Sequence, residues 1–276
     1  MSNPKQILNQ IGIDPIKSLG QNFLHDPNTI EKIVDSAEIM PEDIVLEIGP
    51  GAGAITGLLA QRARQVISIE IDQRLRPILD AQLRPYANVE VIFQDFLTVD
   101  VAALVGMRDF VVVANVPYYI TSPIILQLLS LPHLPRAIVL TIQYEVAERI
   151  VAQPPDMNRL AVITQLYGVP SIITKLSAAV FWPRPDVESA VIKIMPHAVP
   201  MIDRQDVKLF SRLVKAGFSQ KRKQLRNSLS GGLGIKGKEA GELLASAGID
   251  LQRRAETLSL AEWRMLLEAY QTTYEK

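Results

Sequence analysis

The stretch Val45-Leu46-Glu47-Ile48-Gly49-Pro50-Gly51-Ala52-Gly53-Ala54-Ile55-Thr56 decides how this chain is read. An apolar β-branched run stops at Glu47, glycines follow at alternate positions, and a helical pattern begins at Ile55. That order predicts a strand, a tight turn and a helix start, because glycine accepts φ > 0 and lets a ligand lie against the main chain. The match to a dinucleotide turn is imperfect. Counted from Gly51, G-x-G-x-x-G needs glycine at Thr56, and the next glycine is Gly57. The turn alone leaves the ligand open, with a purely structural left-handed turn as the alternative.

With 276 residues, 48% of them hydrophobic and 21% charged, the chain has the makeup of a globular protein long enough for one large domain and a small one. It has no cysteine, which excludes disulfides, thiolate nucleophiles and cysteine-ligated metals. His25, His133 and His197 show no i, i+4 pairing, so no metal site is expected. Formal net charge is zero, so bulk charge points to neither nucleic acid nor membrane, and only its distribution is informative. No apolar run approaches about eighteen residues, so no membrane span is expected. The start, Met1-Ser2-Asn3-Pro4-Lys5-Gln6, lacks the layout of a secretory signal or transit peptide, which makes a cytoplasmic location the default expectation.

Around the glycine turn, strands and helices alternate. Residues up to about 22 read as an ordered arm, and Asp26-Pro27 as an N-cap and first helical position. Short β-branched runs predict strands at 44–48, 66–69, 89–93, 110–114 and 137–142, with helices at 55–64, 73–83 and 124–129 between them. Strands apolar on both faces imply a parallel sheet covered by helices on both sides. Glu47, Glu70, Asp95 and Asn115 fall at or just past four successive strand ends, so all four are expected along one crevice. Helices at 143–151 and 159–167 and strands at 171–176 and 190–194 follow, with Phe181-Trp182-Pro183-Arg184-Pro185-Asp186-Val187 as a stiff loop. Pro196 and Pro200 mark a boundary, so a domain of residues 1–200 is expected to precede an all-helical one at 201–276. Gly231-Gly232-Leu233-Gly234 is expected to break the first helical segment, and Ser259-Leu260-Ala261-Glu262 has the spacing of a capping box.

Glu70, at the end of the second strand, can accept hydrogen bonds from both hydroxyls of a ribose, a role shared by NAD enzymes and S-adenosylmethionine-dependent methyltransferases. Asp95 reads equally as an acceptor for an adenine amine and as a helix N-cap. Asn115-Val116-Pro117-Tyr118 separates the possibilities. The exocyclic amine of adenine is a poor nucleophile, because its lone pair is delocalised into the ring. The Asn115 side-chain oxygen and the Val116 carbonyl can hold the amine's hydrogens and turn that lone pair out of the ring plane. Pro117 restricts the backbone there and removes a competing donor, and Tyr118 offers a flat face for the base. In an otherwise neutral chain, residues 207–229 carry Lys208, Arg212, Lys215, Lys221, Arg222, Lys223 and Arg226 and no acid, the electrostatic footprint of a phosphate backbone.

Asn115-Val116-Pro117-Tyr118-Tyr119-Ile120-Thr121 resembles the amine-methyltransferase signature of the ribosomal RNA adenine dimethyltransferases. Lys17-Ser18-Leu19-Gly20-Gln21-Asn22-Phe23-Leu24 is similar to that family's N-terminal motif, and Glu47-Ile48-Gly49-Pro50-Gly51-Ala52-Gly53 to its cofactor loop. The segment from Phe181 to Ala190 resembles its late loop, and Phe218-Ser219-Gln220-Lys221-Arg222-Lys223-Gln224-Leu225-Arg226-Asn227 its basic motif. Val116, Tyr119 and Gln94 depart from common family residues. The resemblance implies a Rossmann-like α/β fold, with a seven-stranded methyltransferase sheet and a small C-terminal all-α domain. It implies that Asn22, Leu24, Gly49, Glu70, Asp95 and Asn115 contact S-adenosyl-L-methionine and that Phe181 helps hold the target adenine.

The expectation is therefore N6,N6-dimethylation of two adjacent adenines near the 3′ end of small-subunit ribosomal RNA, free or in an assembling pre-30S-type particle. Asn115, Pro117, Tyr118 and Phe181 would act on the acceptor, and Gly49, Gly51 and Gly53 would clear space for the cofactor. Lys221, Arg222, Lys223 and Arg226 would grip RNA, with a monomeric protein and no metal. Three alternatives stand: a large-subunit adenine methyltransferase of the antibiotic-resistance type, a ribosome-assembly binding protein on the same scaffold, and an NAD-dependent dehydrogenase.

Overall fold

The β-branched runs form strands because branched side chains pack well on a pleated surface covered on both faces. The computed structural model describes residues 4–274. Its strands are β1 (Phe23–Leu24), β2 (Ile44–Ile48), β3 (Gln65–Glu70), β4 (Val89–Phe93), β5 (Phe110–Asn115), β6 (Ala137–Gln143), β7 (Gly168–Leu176), β8 (Phe181–Trp182) and β9 (Ser189–Pro196). Seven make one sheet in the order β4-β3-β2-β5-β6-β9-β7. From β4 to β6 each neighbouring pair is parallel, whereas β9 runs antiparallel to β6. The parallel reading holds for the alternating strands β2 to β6, and β9 departs from it because the segment leading into it carries no crossover helix of the kind a parallel return needs.

The stiff loop expected at 181–187 also holds a strand. β8 pairs antiparallel with β1, placing Phe23 opposite Trp182 and Leu24 opposite Phe181.

The chain divides into two units, the first running to Ala147 and resuming over Pro170–Pro196, the second taking Glu148–Val169 and the residues from His197 onward. Helices α1 (Pro4–Gln10), α2 (Pro27–Ser36), α3 (Thr56–Arg62), α4 (Arg76–Leu83), α5 (Val101–Val105) and α6 (Thr121–Leu129) belong to the first. Asp26 caps α2 by accepting from the Thr29 N–H at 2.8 Å, and Pro27 opens it. The apolar face of α2, Ile30, Ile33 and Val34, packs against Val45, Val66 and Val111 of the sheet. The helix expected at 73–83 is a one-turn 3₁₀ helix, Gln73–Leu75, followed by α4, whose second residue is Pro77. Proline has no N–H for a longer α ladder and is tolerated only in a helix's first turn.

After α7 (Tyr144–Val151), the second unit holds α8 (Arg159–Tyr167), α9 (Val207–Gly217), α10 (Leu225–Leu233), α11 (Gly237–Ser246) and α12 (Leu260–Tyr274). Packing groups α8 with these later helices, although a division at 200 separates them in sequence. Its residues from Leu160 to Leu166 are all buried, as in a helix surrounded on every side. Ala161, Val162, Ile163 and Leu166 join Phe210, Leu213, Trp263 and Leu266 in one core. Gly231 and Gly232 do not break α10, which runs to Leu233 and stops at Gly234 with φ +71°. Gly232 sits inside the helix because a Cβ there would lie 2.5 Å from the Cα of Ala216, so only glycine lets α9 and α10 approach this closely. Ser259 and Glu262 form the expected capping box.

Candidate active site

Strand order reverses between β2 and β5, and the crevice beyond the C-terminal ends of such strands is where open α/β sheets place ligands. Here it is a cavity of about 310 Å³. Gly49, Gly51, Glu70, Asp95, Asn115, Pro117 and Tyr118 line it from the sheet side, and Asn22 and Leu24 from the N-terminal arm. Gly53, Glu47 and Phe181 do not.

Each exception has a physical reason. A Cβ on Gly53 would meet Leu79 and Leu83, so this glycine faces α4 rather than the cleft. Glu47 is 2% exposed, turned inward on β2, and accepts a hydrogen bond from the Ser68 hydroxyl at 2.6 Å. Burial pushes its carboxyl up to about 7. Phe181 is 1% exposed and packs in the sheet core with Leu24, Val180 and Val191. Along β8 the outward position falls to Trp182, which stacks on Phe23 with ring centroids 6.4 Å apart.

The glycine turn and Glu70 are built together. Gly51 has φ +58°, and a Cβ there would sit 3.1 Å from the Phe23 ring, so both conformation and space demand glycine. Its N–H donates to Glu70 Oε2 at 3.0 Å, and the Asp72 N–H donates to Oε1 at 2.8 Å. The Glu70 carboxyl is 4% exposed, and burial raises its pKa while these backbone donors oppose the rise. With backbone donors from Gly51, Asp72 and Ile71, the carboxylate still keeps acceptor capacity for a ligand hydroxyl.

Asp95 is an N-cap that also lines the cleft. One oxygen accepts from the Leu97 N–H at 2.9 Å, capping the turn Phe96–Thr98, while the residue lines the cleft. Asn115 closes β5, and its Nδ2 donates to the Asn22 carbonyl at 2.9 Å. A carbonyl only accepts, so the amide nitrogen must face it, and Oδ1 is left as an acceptor. The Val116 N–H donates to the Thr141 carbonyl at 3.1 Å, anchoring the peptide that follows. Tyr118 shares a 2.6 Å hydrogen bond with the Ser189 hydroxyl, and burial raises its phenol.

Ile71 is a residue that the sequence places against an adenine ring, Tyr119 lies within the Asn115 motif, and Leu97 carries no sequence signal. Ile71, Leu97 and Tyr119 are 46%, 37% and 58% exposed and leave apolar surface open along the cleft. Ile71 directly follows the end of β3, while Leu97 and Tyr119 lie four residues past the ends of β4 and β5. Gln21 belongs to the N-terminal motif, but its role is visible only through its partners. The lining holds two carboxylates, Glu70 and Asp95, and no Lys or Arg among the described residues. That donor set suits a cationic or neutral ligand with ribose and adenine moieties, such as S-adenosylmethionine.

In the second unit, Lys221, Arg222 and Lys223 occupy the turn between α9 and α10, and Arg226 the first turn of α10. All four are exposed. Among the described residues no cluster of His, Asp and Glu could hold a metal ion, and no helix is long and apolar enough to cross a membrane.

Residues 16–272 match the family model described as ribosomal RNA adenine dimethylase. The chain is 43% identical to the ribosomal RNA small subunit methyltransferase A of Geobacillus kaustophilus, over 99% of this chain and 96% of that one. The crystal structure of a dimethyladenosine transferase from Plasmodium falciparum superposes with a TM-score of 0.79 at 27% identity, covering 91% of this chain and 98% of that one. That of the 23S rRNA methyltransferase ErmE gives 0.73 at 31% identity, covering 90% and 99%.

Proposed function

Because this chain belongs to the ribosomal RNA adenine dimethylase family, we propose that it dimethylates the N6 amines of two adjacent adenines near the 3′ end of small-subunit ribosomal RNA. The methyl donor is S-adenosylmethionine, and the reaction serves small-subunit biogenesis. The observation that carries this reading is the Asn115 amide, held at the mouth of β5 with its nitrogen committed to the Asn22 carbonyl.

Gly49 and Gly51 let the donor lie against the main chain. Glu70 accepts from its ribose hydroxyls, and Asp95 from its adenine amine beside Ile71 and Leu97. Bound there, S-adenosylmethionine supplies an electrophilic methyl on a sulfonium. In the first transfer Asn115 Oδ1 and the Val116 carbonyl accept hydrogen bonds from the two N–H groups of the acceptor amine and turn its lone pair toward that methyl, and in the second the monomethylated amine keeps one N–H for one of these acceptors. Tyr118 stacks on the extruded base, a contact worth ~1–3 kcal/mol in single-strand binders. Positioning and polarisation of the amine supply the rate, with no metal and no covalent intermediate. Lys221, Arg222, Lys223 and Arg226 contact phosphates without reading sequence.

The small subunit is preferred over the large because the small-subunit relative is 43% identical, whereas ErmE is 31% identical. Incubating the protein and labelled S-adenosylmethionine with unmethylated small subunits, and separately with large subunits, tests the choice. Label mapping to adjacent small-subunit adenines is expected. Label on large subunits alone overturns the proposal.

A further inference from the structure

Glu70 and Asn115 stand at the ends of different strands, yet a run of hydrogen bonds connects them. The Asp72 N–H donates to Glu70 Oε1 at 2.8 Å, and the Asp72 carboxylate accepts from Gln21 Nε2 at 2.8 Å. Gln21 precedes Asn22, whose carbonyl takes the Asn115 amide hydrogen at 2.9 Å. The arm thus carries the connection from the ribose-side acid to the acceptor-side amide.

Both ends of Gln21 are specified. Its Oε1 accepts from the Ile16 N–H at 2.8 Å, so the nitrogen must be the atom that meets Asp72. Asp72 is itself fixed. Arg74 donates to both its oxygens, Nε to Oδ1 at 2.9 Å and Nη2 to Oδ2 at 2.7 Å, and the Asp72 side chain is only 4% exposed. The preceding residue presses on the acceptor loop. A Cβ on Gly20 would lie 3.3 Å from the Pro117 Cβ and 3.5 Å from the Tyr119 ring.

We infer that Gln21 is a positioning residue for methyl transfer, acting through the Asn22 carbonyl to hold the Asn115 amide in register with the cofactor side of the cleft. This rests on the reading of Asn115 as the group that engages the acceptor amine. The Gln21–Asp72 bond sets where the Asn22 carbonyl stands, and that carbonyl decides which way the amide turns. Loss of the latch therefore lowers turnover at saturating cofactor more than it weakens cofactor binding.

The test uses the full chain, unmethylated small subunits and S-adenosylmethionine, with wild type as the control that the transfer reaction itself occurs. Gln21→Ala is expected to lower kcat about tenfold or more, while cofactor affinity by calorimetry changes by a smaller factor. Gln21→Glu keeps the shape and the acceptor for the Ile16 N–H but places a carboxyl against Asp72. The charged groups facing it are Asp72 and Arg74, with Glu70 behind Asp72 and Asp14 beside Arg74. When protonated, this carboxyl can donate to Asp72 as the native amide does. The Gln21→Glu rate relative to wild type should therefore recover as pH falls, whereas the Gln21→Ala ratio stays flat, a difference that misfolding does not produce. Wild-type kcat in Gln21→Ala, a loss fully repaired by saturating cofactor, or parallel pH profiles for the two variants would each overturn the inference. Absence of transfer by wild type would instead overturn the proposed function.

Discussion

The Asn115 side chain and the Asn22 main chain, 93 positions apart, meet in a single hydrogen bond of 2.9 Å. That bond engages one of the amide's two N–H groups and fixes which way the amide faces, so the cleft presents the side-chain oxygen as an acceptor where an amine must be held.

Asn115→Ala removes the acceptor and should lower methyl transfer about a hundredfold or more, with cofactor binding still measurable by calorimetry. Asn115→Asp tests orientation separately. A carboxylate has no hydrogen for the Asn22 carbonyl and is repelled by it, so transfer should fall in this variant too, although an acceptor oxygen remains. Near-normal turnover in Asn115→Ala would remove Asn115 from the mechanism, and near-normal turnover in Asn115→Asp would remove the orienting bond to Asn22.

Replacing Lys221, Arg222 and Lys223 together with Ala should weaken RNA binding and lower the slope of log K against log salt by roughly 2–3, since each phosphate contact releases counterions. Binding isotherms at several salt concentrations measure this. An unchanged slope would make the turn an ordinary solvated surface.

Glu47 predicts a pH dependence of stability. Burial raises its carboxyl from the ordinary 4.5 to about 7 in the folded protein. Below about 4.5 the group is neutral in both states. As pH rises, the unfolded chain loses its proton first, so the contribution falls between about 4.5 and 7 and is absent above. The loss is on the order of 3 kcal/mol. Glu47→Gln keeps an acceptor for the Ser68 hydroxyl and a polar group facing the Thr56 hydroxyl, but removes the buried ionisable proton. The variant should match wild type near pH 4 and exceed it at pH 8 in denaturant titrations. Parallel stability curves would show that Glu47 does not titrate in this way.

Gly232→Ala should destabilise the second unit by about 1–3 kcal/mol, because the new methyl meets backbone rather than a flexible side chain. Calorimetry should show a lower unfolding temperature, and cofactor affinity below that transition should be unchanged. An unaltered melting temperature would mean that α9 and α10 separate without cost.

Local pattern suffices where the cause is local. The strands of the sheet, the Asp26 and Ser259 caps and the glycine turn each follow from residues within a few positions, and all are legible in the sequence. The placement of Gly49, Gly51, Glu70, Asp95 and Asn115 in one cleft also follows, because parallel crossovers bring strand ends to a single edge. Tertiary structure decided the rest. Nothing local separates Gly53 from Gly51, yet one packs toward α4 and the other toward Phe23 and the cleft. Phe181 went to the core because pairing with β1 fixes which side of β8 it occupies. Gly232 lies within α10 because Ala216 occupies the space that a Cβ would take, so glycine there serves packing and not a break. The orientation of the Asn115 amide and the latch at Gln21 depend on hydrogen bonds spanning 93 and 51 residues, and no window of sequence contains both partners.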